Sequence, residues 1–172
     1  ALAWQGMPFA NHEAGAGWPE RMGLQGPMVA PNDGYETADG KLMLTSGTPL
    51  QFERFCGVVG RADLLEDPRF ATNNDRMTNS EAFKATINET LAQRTRAEWS
   101  TLLSAVDVPN APIQTLGEAI EHPQTVASGI MQNSPDGSYR LFAMPLRFDG
   151  ERPGFRRPAP ELGEATQEAF AF

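Results

Sequence analysis

The stretch Val108-Pro109-Asn110-Ala111-Pro112-Ile113-Gln114-Thr115-Leu116-Gly117-Glu118, followed by His122-Pro123-Gln124, decides how this chain folds. Pro109 and Pro112 cannot sit inside a helix, so they stop the helical pattern before them and force an extended passage. Thr115 and Glu118 then have the spacing of a capping box, which opens a new helix. Pro123 is expected to end that helix within about two turns. A capped helix, an extended bridge and a short helix thus follow one another directly.

Upstream, Thr95-Arg96-Ala97-Glu98 is a second capping box, and Trp99, Leu102, Leu103 and Val106 form the apolar stripe behind it. Ser80 and Glu81 open another helix, with Phe83, Ile87 and Leu91 stacked along one side. Thr48 reads as an N-cap with Pro49 at the first helical position. Phe52, Phe55, Cys56 and Val59 then follow helical spacing up to Gly60, a C-terminal cap. Asp67-Pro68-Arg69-Phe70 reads as a turn that tucks Phe70 into the core. Gly34 to Thr45 has the alternation of a hairpin, with Asp39-Gly40 as its turn pair and Leu42 and Leu44 on one face. Pro135-Asp136-Gly137 marks a second hairpin, flanked by Ile130 to Asn133 and Tyr139 to Phe142. The fold class is α+β: a small antiparallel sheet packed against helices, with extended N- and C-terminal arms. Residues 1–33 read as a linker, 34–144 as the small domain, and the proline-rich 145–172 as an extended arm.

A chain of 172 residues, 40% hydrophobic and 21% charged, has the make-up of a globular domain of ordinary size. Its net charge of −8, with 14 scattered basic residues, argues against a nucleic-acid partner, which needs clustered Lys and Arg. No apolar run approaches the roughly 20 residues of a membrane span, and no secretory signal is visible. The single Cys56 cannot form an internal disulfide, which fits a reducing, cytoplasmic setting. The chain opens at Ala1 in mid-pattern, as a piece of something longer would.

Few residues offer chemistry. His12 lies in a small, polar connector and reads as solvated. His122 precedes Pro123 at a helix end, where a cation suits the last carbonyls, so it is expected to cap a C-terminus. Cys56 falls on an apolar stripe and reads as a buried, inert thiol. With these residues far apart in sequence, no metal-ligand cluster exists. Glu118 and Glu121 resemble a carboxylate pair, but Glu118 is the capping partner of Thr115. Arg156-Arg157 could meet phosphate, although a solvated arm accounts for them as well. In Met22-Gly23-Leu24-Gln25-Gly26 a glycine-containing loop can bring backbone N–H groups against a substrate, with a glutamine beside it, although by itself the segment reads first as an ordinary linker turn.

The order of these signals resembles the C-terminal part of the family III CoA-transferases, which include formyl-CoA, carnitine and bile-acid CoA-transferases and the α-methylacyl-CoA racemases. The resemblance is carried by Gly34-Tyr35-Glu36-Thr37-Ala38-Asp39-Gly40, Leu65-Glu66-Asp67-Pro68-Arg69-Phe70, Arg76, Thr95-Arg96-Ala97-Glu98-Trp99 and Val108-Pro109-Asn110-Ala111-Pro112-Ile113. It continues through His122-Pro123-Gln124-Thr125-Val126 and Pro145-Leu146-Arg147-Phe148 to Arg157-Pro158-Ala159-Pro160-Glu161-Leu162-Gly163-Glu164.

The resemblance implies an interlocked homodimer in which each subunit has a large CoA-binding domain, here absent, and a small domain. It implies transfer of CoA between carboxylic acids through anhydride and thioester intermediates on an aspartate. No segment here matches the region carrying that aspartate, so no catalytic residue is expected in this chain. The substrates implied are an acyl-CoA thioester and a carboxylic acid acceptor, with no tightly bound cofactor, no metal, no nucleic acid and no membrane. The flexible glycine-rich loop that folds over the acyl intermediate in some transferases maps by position onto Gly23, Leu24, Gln25 and Gly26. Only two of these are glycine, while Gln25 falls where the transferase pattern has a glutamine. The racemase branch has a glutamate two residues before the Gln51-Phe52 pair, where this chain has Pro49, which favours transferase. A non-enzymatic α+β interaction domain is the reading that owes nothing to the resemblance.

Overall fold

The computed structural model describes residues 5–164 and 166. It divides into two compact units, 1–113 and 114–172. The division falls at Ile113/Gln114, inside the stretch expected as one small domain.

The first unit is built on a three-stranded antiparallel sheet of order β1 (Asn32–Thr37), β2 (Gly40–Thr45) and β3 (Asn110–Pro112). The Val108–Ile113 passage is extended as its prolines require, and Ile113 N–H donates to Lys41 O at 2.9 Å to prolong the β2–β3 ladder. The first strand starts at Asn32, ahead of the Gly34 expected. The tight turn is Ala38-Asp39, because Gly40 already pairs with Thr37. In this register Asp33 and Tyr35 lie opposite Leu44 and Leu42. All four are buried on the side where helix α5 (Ser80–Leu91) packs against β1. Gly34, Met43 and Ala111 form a row on the other face.

Three helices carry the stripes read from the sequence. In α2 (Pro49–Val59), Thr48 and Gln51 form a capping box, and Phe52, Phe55, Cys56 and Val59 are buried ahead of the left-handed Gly60. Helix α5 buries Phe83, Ile87 and Leu91. Helix α6 (Arg96–Ser104) is capped by Thr95 and Glu98, and it buries Trp99 and Leu103. Leu102, expected on that stripe, is exposed, and Val106 is only partly buried against the core. Phe70 is fully buried at the end of its Asp67 turn.

Two short helices between these had no apolar periodicity to announce them. They are α3 (Asp63–Glu66) and α4 (Asn73–Thr78), the latter opened by a Thr72–Asp75 capping box. Ahead of the sheet, the chain forms a helix, α1 (Gly6–Asn11), running into a π-type turn at His12–Ala16.

The second unit has α7 (Leu116–Glu121), α8 (Pro123–Ser128) and a hairpin of β4 (Met131–Asn133) with β5 (Arg140–Phe142). Thr115 and Glu118 cap α7 as read. Pro123, however, does more than end α7. It is the first residue of α8, where its missing N–H costs nothing. Between β5 and Glu164 the backbone is mostly irregular, with an isolated bridge between Phe148 and Glu151.

Candidate functional site

The Gly23–Gly26 loop lies across the edge of β1, the outer strand of its sheet. Gly23 has φ +65°, a left-handed conformation with nothing within 4 Å of where a Cβ would stand. It supplies a bend rather than space. The Gln25 N–H donates to Met22 O at 3.1 Å, and the Gly26 N–H donates to Asn32 O at 2.7 Å. The second bond joins the loop to the first residue of the strand.

Leu24 and Gln25 meet different sides of that strand. Leu24 lies against Gly34, on the face away from α5, and remains half exposed. Gln25 lines a void of about 10 Å³ together with Asp33, Tyr35, Ser80, Phe83 and Lys84. A space of that size is about one water in volume and cannot admit an acyl group. Beside it, Lys84 Nζ lies 2.6 Å from Asp33 Oδ2, and the Gly34 N–H donates to Asp33 Oδ1 at 2.6 Å. The Asp33 side chain is 6% exposed, so its charge needs this pairing. Burial first, and the neighbouring Asp33 carboxylate second, push the Tyr35 phenol well above its ordinary value; Arg76 offsets part of this. Tyr35 is therefore a neutral phenol at any physiological pH.

The remaining residues singled out in the sequence are placed apart from one another. His12 is half-buried and stacked on Trp18, with ring centroids 3.6 Å apart, which corrects the expectation of a solvated ring. His122 is the C-cap residue of α7, as expected, and also the N-cap of α8, where its Nδ1 accepts from the Gln124 N–H at 3.2 Å. Cys56 is fully buried and its thiol is pushed up to about 12, chiefly by burial, as an inert thiol should be. Glu118 accepts from the Thr115 N–H at 2.7 Å, a capping role. Pro49 is the first residue of α2, which explains its presence at the position compared with the racemases.

Arg156 and Arg157 are exposed. Arg157 lines an open cleft of about 540 Å³ in the second unit, together with Asp136, Glu161 and Glu164. Three carboxylates around one guanidinium are a poor setting for phosphate. The Asp136 carboxyl is held below its usual range by the Ser134 and Ser138 hydroxyls, which donate to it across the β4–β5 turn. Among the described residues no three His, Cys, Asp or Glu come together in a way that could hold a metal ion. No helix among them is long and apolar enough to cross a membrane.

Arg76 is the residue whose role the sequence did not disclose. It is buried, and its guanidinium lies 3.8 Å from the centre of the Phe52 ring. Nε donates to Ala30 O, and Nη1 donates to Phe70 O at 2.9 Å. These bonds join the segment leading into β1 to the Phe70 turn and to α2. Arg76 is thus a cation spent on main-chain carbonyls, with no geometry suited to an anionic ligand.

The family model for CoA-transferase family III matches residues 1–166. Over 161 residues the chain is 33% identical to acetyl-CoA:oxalate CoA-transferase of Acetobacter aceti, covering 89% of this chain and 40% of that protein. It is 28% identical over 163 residues to succinate–glutarate CoA-transferase of Agrobacterium fabrum, covering 89% of this chain and 39% of the relative. The chain thus spans about two-fifths of the length of these relatives. Among solved structures, a CaiB/BaiF family protein from Brucella suis superposes with a TM-score of 0.83 at 28% identity, over 98% of this chain and 44% of that one. With sequence, fold and element order in agreement, the chain belongs to CoA-transferase family III.

Proposed function

We propose that this chain is the small-domain part of an acyl-CoA transferase that moves CoA between carboxylic acids. In this reading residues 1–33 link to a large domain, 34–144 form the small domain, and 145–172 return as an extended arm. The nucleophilic aspartate, and the anhydride and thioester intermediates on it, belong to the part of the protein outside this chain. Two such subunits interlock in the cytoplasm, and a CoA thioester and a carboxylate acceptor are the substrates. The observation that carries the reading is the similarity, over nearly the whole chain, to proteins named as CoA-transferases.

In this protein the chain's own contribution is the Gly23–Gly26 loop. In this reading it presents the Gln25 carboxamide beside a reacting carbonyl, where a donor stabilises developing negative charge. The gene-encoded polypeptide that contains this chain should transfer CoA from acetyl-CoA or succinyl-CoA to a dicarboxylate, followed by chromatography of the thioesters. Gln25→Ala in it should lower kcat by about tenfold or more. The 172-residue chain alone should transfer none. Exchange of the α-proton of a 2-methylacyl-CoA without transfer would overturn the reading in favour of a racemase. Absence of both activities would overturn it in favour of a binding domain.

A further inference from the structure

We propose that Gly34 is a positioning residue for the substrate loop: its bare Cα is a seat for the Leu24 side chain, and seating Leu24 fixes where Gln25 stands. This role rests on the substrate-loop reading above.

Two of the glycines near the loop are needed for space and not for conformation. A Cβ on Gly34 would stand 2.5 Å from Leu24 Cδ1 and 3.2 Å from Ile113 Cδ1, and Gly34 lies outside the left-handed region. At the first distance something must shift, and what shifts is the far end of the half-exposed Leu24 side chain; the second asks Ile113 to give by a few tenths of an ångström. A Cβ on Gly26 would stand 2.0 Å from Asn32 Nδ2, again with no left-handed φ to account for the glycine. The loop and the strand therefore approach each other through two missing side chains, one on each partner. Between them runs the Gly26 N–H to Asn32 O bond at 2.7 Å.

The face assignment gives the contact its consequence. Side chains alternate along a strand, so Gly34 points away from the helices while Asp33 and Tyr35 point toward them. Leu24 occupies the Gly34 side, with Ile113 beside it, and Gln25 reaches the Asp33–Lys84 side. The loop thus grips the exposed edge of β1 from both faces, which also shields that edge from pairing with another chain. Release of Leu24 would free Gln25 at the same time, since the two are adjacent and Gly23 is the bend behind them.

Amide hydrogen exchange on the 172-residue chain tests the seat, read at the Gly26 N–H and compared with the Phe83 and Ile87 amides of α5. Leu24→Ala should speed exchange at Gly26 about tenfold and leave α5 unchanged, as expected for local opening. Gly34→Ala should do the same, because Leu24 is expelled. In the double variant Leu24→Ala with Gly34→Ala the clash is gone, and the Gly26 rate should return to that of Leu24→Ala alone. An unchanged Gly26 rate in Leu24→Ala overturns the seat, whether or not Gly34→Ala folds. A double variant whose rates simply multiply also overturns it. Failure of the loop reading would look different: normal acyl transfer by Gln25→Ala in the complete protein, with the exchange behaviour intact.

Discussion

Replacing Arg76 by methionine tests the tie that holds the front of the sheet. Arg76 is 4% exposed, so no solvent takes over its bonds when its guanidinium is removed. Ala30 O and Phe70 O lose their donors, and the weaker contact to Ala71 O at 3.4 Å goes with them. Two stranded buried acceptors cost about 1–3 kcal/mol each. The change also removes the desolvation cost of a buried cation, and methionine restores part of the contact with the Phe52 ring. The net loss is about 2–4 kcal/mol. With a urea m-value of about 2 kcal/mol/M for a chain of this size, the midpoint should fall by about 1–2 M. Arg76→Lys sharpens the test. It keeps the charge and the length, but one ammonium cannot reproduce the fork that serves Ala30 O and Phe70 O together. It should recover less than half of the loss. Far-UV circular dichroism in urea is sufficient to read both variants. A fall of less than about 0.3 M in Arg76→Met, or full recovery in Arg76→Lys, would refute the assignment of Arg76 to the main-chain carbonyls.

The other predictions concern the core and the surface carboxylates. Trp99 is 4% exposed and its indole N–H donates to Leu91 O at 2.8 Å. Trp99→Ala should therefore destabilise the chain by about 3–5 kcal/mol in the same unfolding assay, and an unchanged midpoint would remove it from the core. Cys56, with its thiol pushed up to about 12 by burial, should resist a thiol reagent at pH 8 in the native chain and react fully in denaturant. Rapid labelling of the folded protein would contradict that placement. Backbone N–H groups of α6 hold Asp39 and Glu98 below the usual carboxylate range, and the Arg61 and Arg69 side chains do the same for Asp63 and Asp67. Folded values below the unfolded ones mean that this stability is complete above about pH 5 and is lost as pH falls through the folded values. The urea midpoint should hold steady from pH 7 to 5 and drop toward pH 3. A midpoint that rises on acidification would contradict the sign.

Local chemistry was legible where the signal is local. Thr95 and Thr115 read as helix starts because the glutamate that partners each cap lies within one turn, and Thr48 because Pro49 follows it. The same motif at Thr72 went unread because the helix behind it has no apolar stripe; its buried side chain is Arg76. His122 stands between two helices, as the C-cap of α7 and the N-cap of α8, and a histidine before a proline does not disclose the second role, which the Gln124 N–H on its Nδ1 shows. The structural roles of Arg76 and Gly34 depend on partners far away in the chain, Ala30 in one case and Leu24 and Ile113 in the other. No spacing rule reaches that distance. Among the described residues beyond Ile113 the strands are three residues long and few side chains are buried, so periodicity has little to act on.

The glycine count of the loop carries a different meaning once its geometry is known. Two glycines in four residues look like a weakened version of a glycine-rich, freely moving segment. The structure divides the work of the glycines instead. Gly23 alone adopts a conformation that other residues avoid, Gly26 makes room for Asn32, and the third glycine of the set is Gly34, in the strand itself. A loop with one pivot and two close approaches does not wander. It has a seated position defined by Leu24 and the Gly26 N–H, and it leaves that position by turning about Gly23. Its equilibrium then depends on a side-chain contact of ordinary size, which substitutions at Leu24 or Gly34 can shift without touching Gln25. Mobility in this loop is therefore set by how well Leu24 fits, and not by how many glycines it holds.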